Sequence, residues 1–75
     1  METVENVLKH VRPEFDFRSS NDFISDGMLD SFDVVTLVSE LDETFHISIS
    51  GMDIVPENFS SIPAIERLLH KYLGQ

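Results

Sequence analysis

Ser31 stands in the run Asp30-Ser31-Phe32-Asp33, a hydroxyl set between carboxylates where an irregular stretch gives way to a periodic apolar one. A serine at such a point can cap the helix that follows by accepting a backbone N–H. Asp30 can fill that role equally well, which leaves the Ser31 hydroxyl free. The unsatisfied N–H groups of a helix start favour an anion, so a phosphodiester joined to this oxygen is well placed. Phe32 is the second unusual feature. On a helical wheel it falls among Asp33, Thr36, Ser39, Glu40 and Glu43. A ring on an otherwise polar face points to contact with another protein. The alternative is that it folds back onto loop residues such as Met28.

Other chemistries are less well served. With no cysteine, disulfides and thiolate metal sites are excluded. An EF-hand register beginning at Asp22 puts Asp26 at position five, Gly27 at six and Asp33 at twelve. Ile24 then stands where an oxygen ligand belongs, Asp33 is short for the bidentate position, and no helical pattern leads in. This calcium-binding module is the alternative of another class, and no metal site is expected. His10, His46 and His70 are far apart in sequence, and no Gly-x-Ser-x-Gly elbow surrounds Ser31. No catalytic residues are assigned, and the chain is not read as an enzyme.

Three helical segments must position Ser31. Val4, Val7, Leu8 and Val11 predict a first helix from about Glu2 to Val11, ended by Pro13. Residues 12–30 show no sustained period and carry turn chemistry at Ser19-Ser20-Asn21-Asp22 and Ser25-Asp26-Gly27. Phe15, Phe17, Phe23, Ile24 and Leu29 within this loop predict that it packs on the domain; connections this long are often functional. A second helix opens at Asp30-Ser31, buries a stripe of Val34, Val35, Val38, Leu41 and Phe45, and ends near His46. Ile47 to Ser50 reads as an extended connector. Residues Asp53 to Phe59 are expected to hold one short helical turn interrupted by Pro56. Ser60-Ser61 caps a last helix with Pro63 in its first turn and an apolar face of Ile62, Ile65, Leu68, Leu69, Tyr72 and Leu73. The expected fold is all-α, a small four-helix bundle of three main helices and one short one, in a single domain over 1–75.

Charge narrows the partners. Five basic and fourteen acidic residues give −9, and from Ser19 to Glu66 there is no lysine or arginine. Such a surface repels nucleic acid and anionic lipid, and attracts proteins with basic patches by raising association rates. The opening Met1-Glu2-Thr3-Val4-Glu5 lacks a basic region followed by an apolar one, and no apolar run approaches a membrane span. A soluble intracellular monomer is expected, with no membrane insertion.

The segment Asp26-Gly27-Met28-Leu29-Asp30-Ser31-Phe32-Asp33, continuing through Val34 to Phe45, resembles the acyl carrier protein family, in which Asp-Ser-Leu, or Asp-Ser-Phe or Asp-Ser-Met, opens the second helix. The similarity covers essentially the whole chain, including Asp53-Ile54-Val55-Pro56-Glu57-Asn58-Phe59. It implies that Ser31 receives 4′-phosphopantetheine from coenzyme A through a Mg²⁺-dependent phosphopantetheinyl transferase, with Asp30 beside the arm. Phe32, Asp33, Thr36, Leu37, Asp42 and Glu43 would then face partner enzymes, among them an acyl- or aminoacyl-activating ligase and a downstream acyltransferase. The cargo would travel as a thioester. The phrase Asp-Gly-Met-Leu-Asp-Ser-Phe looks most like D-alanyl and stand-alone aminoacyl or acyl carriers of the bacterial cytoplasm, with a fatty-acid or polyketide carrier as the alternative.

Overall fold

A polar cap, an apolar face and a proline set the limits of the first helix. In the computed structural model, which describes residues 3–74, α1 runs Val4–Val11. Thr3 is extended and its hydroxyl accepts the Asn6 N–H at 3.2 Å, so the helix starts after Thr3. Glu2, the first residue expected for this helix, lies outside the described residues. Val4, Val7 and Leu8 are buried, and Pro13 follows the last bonded residue, Arg12.

The following loop is packed, as its phenylalanines predict. Phe17 and Phe23 have no solvent exposure and meet edge to face, with centroids 4.9 Å apart. Phe15 stands edge-on to Phe17 at 6.2 Å. A 3₁₀ turn, Phe17–Ser19, is capped by Asp16. The Phe23 N–H donates to Ser60 O at 2.7 Å, and Phe23 O accepts from Met28 and Leu29. The loop therefore closes on itself around Phe23, with Gly27 supplying the positive φ of 75° that the turn requires. Met28 and Leu29 are buried, so the chain arrives at Asp30 already fixed.

The second helix, α2, spans Ser31–Phe45 and ends on His46 in the left-handed conformation. Its buried arc differs from the expected stripe. Leu37, Val38 and Leu41 are buried and Val34 and Phe45 half-buried, whereas Val35 is 64% exposed. The arc is turned toward Leu37 because α1 and the phenylalanine loop cover that side of the helix. The third helix, α3, spans Ile62–Leu73; Ser61 caps it, Pro63 sits in its first turn, and Gly74 ends it at φ 75°. Ala64, Ile65, Leu68 and Leu69 form its buried face.

The expected fourth helix is not formed. Residues between α2 and α3 make two separate 3₁₀ turns, Gly51–Asp53 and Pro56–Asn58. Pro56 lacks an N–H and drives Val55 into an extended conformation (φ −128°, ψ 151°), so a continuous helix cannot pass. Ile47 to Ser50 is irregular, with Ile49 buried and Ser48 and Ser50 exposed. Among the described residues there are three α-helices, no strand, and no helix long and apolar enough to cross a membrane. One core joins all three helices and the first loop, with Leu8, Phe17, Phe23, Leu37, Leu41, Phe59 and Ile65 at its centre. Each such side chain contributes about 1.5–3 kcal/mol on burial. No polar or charged residue among those described is buried.

Candidate functional site

Ser31 is the first residue of α2 and is exposed. The helix start is completed without it. Asp30 Oδ1 accepts the Asp33 N–H at 2.9 Å, and Asp33 Oδ2 accepts the Asp30 N–H at 3.2 Å, a reciprocal capping box. Asp30 thus takes the cap role and leaves the neighbouring hydroxyl out of it. Asp33 has a further partner: Arg12 Nη1 donates to its Oδ2 at 2.7 Å. Glu14, then Asp33, holds the Arg12 guanidinium above its ordinary pKa. Glu14 is in turn held below its own by a backbone hydrogen bond and by Arg12.

A groove of about 560 Å³ opens beside Ser31. Val34 and Val35 wall it on the α2 side, Ile54, Val55 and Pro56 on the other, and Ile24 and Leu29 also line it. Asp30 and Ser31 stand among otherwise apolar lining residues. The exposure of Val35 has its explanation here, since that residue forms a groove wall instead of packing inward. The far wall is tied to α3 through Asp53, whose Oδ2 accepts from the Tyr72 hydroxyl and from Lys71 Nζ at 2.9 Å. These two donors, Tyr72 first, hold the Asp53 carboxyl below its ordinary pKa. The Ser50 N–H donates to the Tyr72 oxygen at 2.8 Å, and Asn58 Nδ2 donates to Asp53 O at 2.8 Å.

The residues expected to face partners divide into three groups. Phe32 is 83% exposed and does not fold back on Met28, which is buried; Thr36 and Glu43 are also exposed. Leu37 is a correction. It has no solvent exposure and belongs to the core, because the covered arc of α2 extends to it. Asp33 and Asp42 are half-buried and occupied within the chain. The Asp33 side chain, 16% exposed, is shared by the capping box and Arg12, and Asp42 Oδ1 accepts the Ile49 N–H at 3.0 Å to fasten the connector after α2.

The calcium register does not converge. Asp22 accepts the Ser25 N–H, Asp26 accepts from the Ser20 hydroxyl, and Asp33 is bound to Arg12. Among the described residues no group of three or more His, Asp or Glu side chains could hold a metal ion.

Sequence reasoning missed three parts of this arrangement. Val35 lies one turn beyond Ser31, and the expected stripe takes it inward; two adjacent valines, about 100° apart on the helix, are the available signal that one of them faces elsewhere. The run Ile54-Val55-Pro56 was legible as apolar but not as a wall. Arg12 carried no signal, since its partner is 21 residues away.

A prosthetic arm ending in a phosphodiester fits these residues. The hydroxyl is exposed at a helix start of favourable polarity, and the groove beside it offers apolar cover to a long attached chain. No curated protein and no solved structure matches the chain. The family model described as phosphopantetheine attachment site matches residues 1–69. Members of this family carry 4′-phosphopantetheine as a covalent cofactor, and their domains are typically non-catalytic carriers. By that match, across nearly its whole length, the chain belongs to the phosphopantetheine attachment site family of acyl carrier domains.

Proposed function

We propose that the chain is a single-domain, monomeric and non-enzymatic carrier whose Ser31 bears the 4′-phosphopantetheine arm and which presents an acyl or aminoacyl group to partner enzymes. The observation that carries this reading is an exposed serine at the first position of α2, relieved of capping by Asp30 and Asp33, at the mouth of an apolar groove. In loading, an O–P bond would form at Ser31 Oγ as the pyrophosphate bond of coenzyme A breaks, adenosine 3′,5′-bisphosphate would leave, and the hydroxyl proton would pass to a base on the transferase. When bound, the arm supplies a terminal thiol that holds cargo as a thioester. The chain itself anchors, orients and shields. Val34, Val35, Ile54 and Val55 exclude water beside the anchor. Phe32, Thr36 and Glu43 offer partners an apolar contact rimmed by polar groups.

Partners are a phosphopantetheinyl transferase, an activating ligase and an acyltransferase with basic patches, drawn by the net charge of −9. We favour a D-alanyl or other dedicated carrier on the resemblance of Asp26 to Phe32, and with that resemblance goes a bacterial cytoplasmic setting. A fatty-acid or polyketide role is the second reading, favoured by the apolar walls of the groove.

Intact mass after incubation with coenzyme A, Mg²⁺ and a broad-specificity transferase tests the anchor. A gain of one arm, absent in Ser31→Ala, is expected; an unmodified wild-type chain beside an active transferase would overturn the reading. Transfer of the arm already charged with alanine or with a medium aliphatic chain separates the cargoes. An aliphatic chain that enters the groove raises the melting temperature and slows thioester hydrolysis, whereas an alanyl group does neither.

A further inference from the structure

The start of α2 is held from outside the helix. Arg12, the residue that closes α1, donates from Nη1 to Asp33 Oδ2 at 2.7 Å and from Nε to Glu14 Oε2 at 2.8 Å. Its guanidinium carbon lies 5.1 Å from the centroid of the Phe15 ring. The Asp33 oxygen that it binds is the one that accepts the Asp30 N–H. Ser31 sits inside the loop of bonds so formed, between Asp30 and Asp33. With charge on both partners and a length of 2.7 Å, this bond is stronger than the 3.2 Å bond from the Asp30 N–H to the same oxygen, so Arg12 decides where the Asp33 carboxylate points. The tie also spans 21 residues, fixing the first turn of α2 against α1 and not merely its local shape.

Charge gives the second argument. Two carboxylates flank a hydroxyl that is to meet a phosphoryl group, and both repel it. Arg12 is the cation bonded to that box, and it offsets one of the two. The other described cations paired near this end of the molecule, Lys9 and Arg18, pair with Glu5 and Asp16 instead.

We propose that Arg12 is a positioning residue for Ser31: acting through Asp33, it holds the first turn of α2 so that the hydroxyl meets the incoming phosphoryl group in line. The proposal rests on Ser31 being the attachment site. Arg12 does not touch the reacting atoms, and its loss acts on the rate of the loaded complex more than on encounter.

The test uses the full apo chain with coenzyme A, Mg²⁺ and a broad-specificity transferase, with kcat and KM for the carrier measured separately. Arg12→Ala is expected to lower kcat about tenfold with KM little changed, part of the roughly hundredfold that an ångström of misplacement can cost. Arg12→Lys recovers part of the loss, because one ammonium reaches Asp33 without the fork that also holds Glu14. Arg18→Ala removes the same charge elsewhere and leaves kcat at the wild-type value. An independent readout is amide hydrogen exchange at Asp33 and Val34, whose N–H groups bond to Asp30; both exchange faster in Arg12→Ala. If Arg12→Ala loses helix content, Asp33→Asn carries the comparison: its amide oxygen still accepts the Asp30 N–H, and the tie from Arg12 to that oxygen loses the acceptor's charge. In that variant kcat falls similarly, and adding Arg12→Lys lowers it no further. Wild-type kcat and amide protection in Arg12→Ala overturn the proposal. So does a rise in KM alone that Arg18→Ala shares, which is charge steering. Each of these leaves Ser31 as the anchor, whereas a wild-type chain that never gains the arm overturns the functional reading and this proposal together.

Discussion

Two long connections join the three helices, and they are held by opposite means. Residues 12–30 are fixed by phenylalanines packed edge to face, with Phe17 and Phe23 wholly enclosed and Phe23 bonded through its backbone to Ser60, Met28 and Leu29. The connection between α2 and α3 is pinned by Ile49 and Phe59 at its ends; between them only Ile54 packs partly on the core, and Ser50 to Asn58 is otherwise held by polar bonds around Asp53 and Tyr72. Met52 in this stretch is 88% exposed. The first connection delivers Ser31 on apolar packing, and its long-range polar tie to α2 is the Arg12–Asp33 ion pair at the helix start. The second carries one wall of the groove, and a wall held by partly exposed hydrogen bonds can yield. On the proposed reading, the apolar side of the molecule serves the anchor and the polar-bonded side serves what the anchor carries.

The largest effect that would sharpen this contrast is Phe23→Ala, which leaves a cavity in the core and costs about 3–5 kcal/mol. Urea denaturation followed by circular dichroism measures it, and a loss below about 1 kcal/mol would erase the distinction. Tyr72→Phe comes next. It deletes the oxygen that accepts the Ser50 N–H, a neutral bond worth about 1 kcal/mol, together with a donor to Asp53. The same denaturation curve should shift modestly, while amides from Ser50 to Val55 exchange faster and those of α2 do not.

Acid provides a third lever. The folded Asp53 carboxyl lies below its ordinary value of 3.8, chiefly through Tyr72 and then Lys71. Its contribution is therefore complete above that value and lost as pH falls through the folded pKa. Below about pH 4 the groove wall should loosen before the phenylalanine loop does, and Asp53→Asn should flatten that part of the profile. Melting temperatures taken at falling pH on both chains decide this. The smallest effect on stability belongs to Phe32→Ala, within about 0.5 kcal/mol of wild type as expected for an exposed side chain. It should nevertheless weaken processing by partner enzymes, read as a rise in KM. Collapse of the fold would instead make Phe32 a core residue.

Local chemistry was legible in the sequence and long-range coverage was not. The caps of α2 and α3, the stop at Pro13 and the packing of the phenylalanine loop follow from residues within a few positions of one another. The proposed anchor stands out for the same reason, since Asp30-Ser31 sits on a helix boundary. The wheel failed at Val35 and Leu37, which flank the stripe on opposite sides. Which of them is covered depends on where α1 and the first loop lie, and a helical period holds no information on that. The short helix failed differently: Pro56 was recognised as an interruption, but the residues on either side form turns of their own, each too short for an α-helix. Asp33 and Asp42 carry the partner-facing expectation, but Arg12, distant in sequence, and the Ile49 amide, beyond the helix, occupy them instead.

The division of labour in the capping box has one more consequence. Because Asp30 and Asp33 complete the turn by themselves, α2 owes no stability to the side chain they enclose. On the proposed reading, a tether joined there takes no hydrogen bond away from the helix start. The cap then looks the same before and after, and an enzyme that tells bare from tethered chains has the tether to read there.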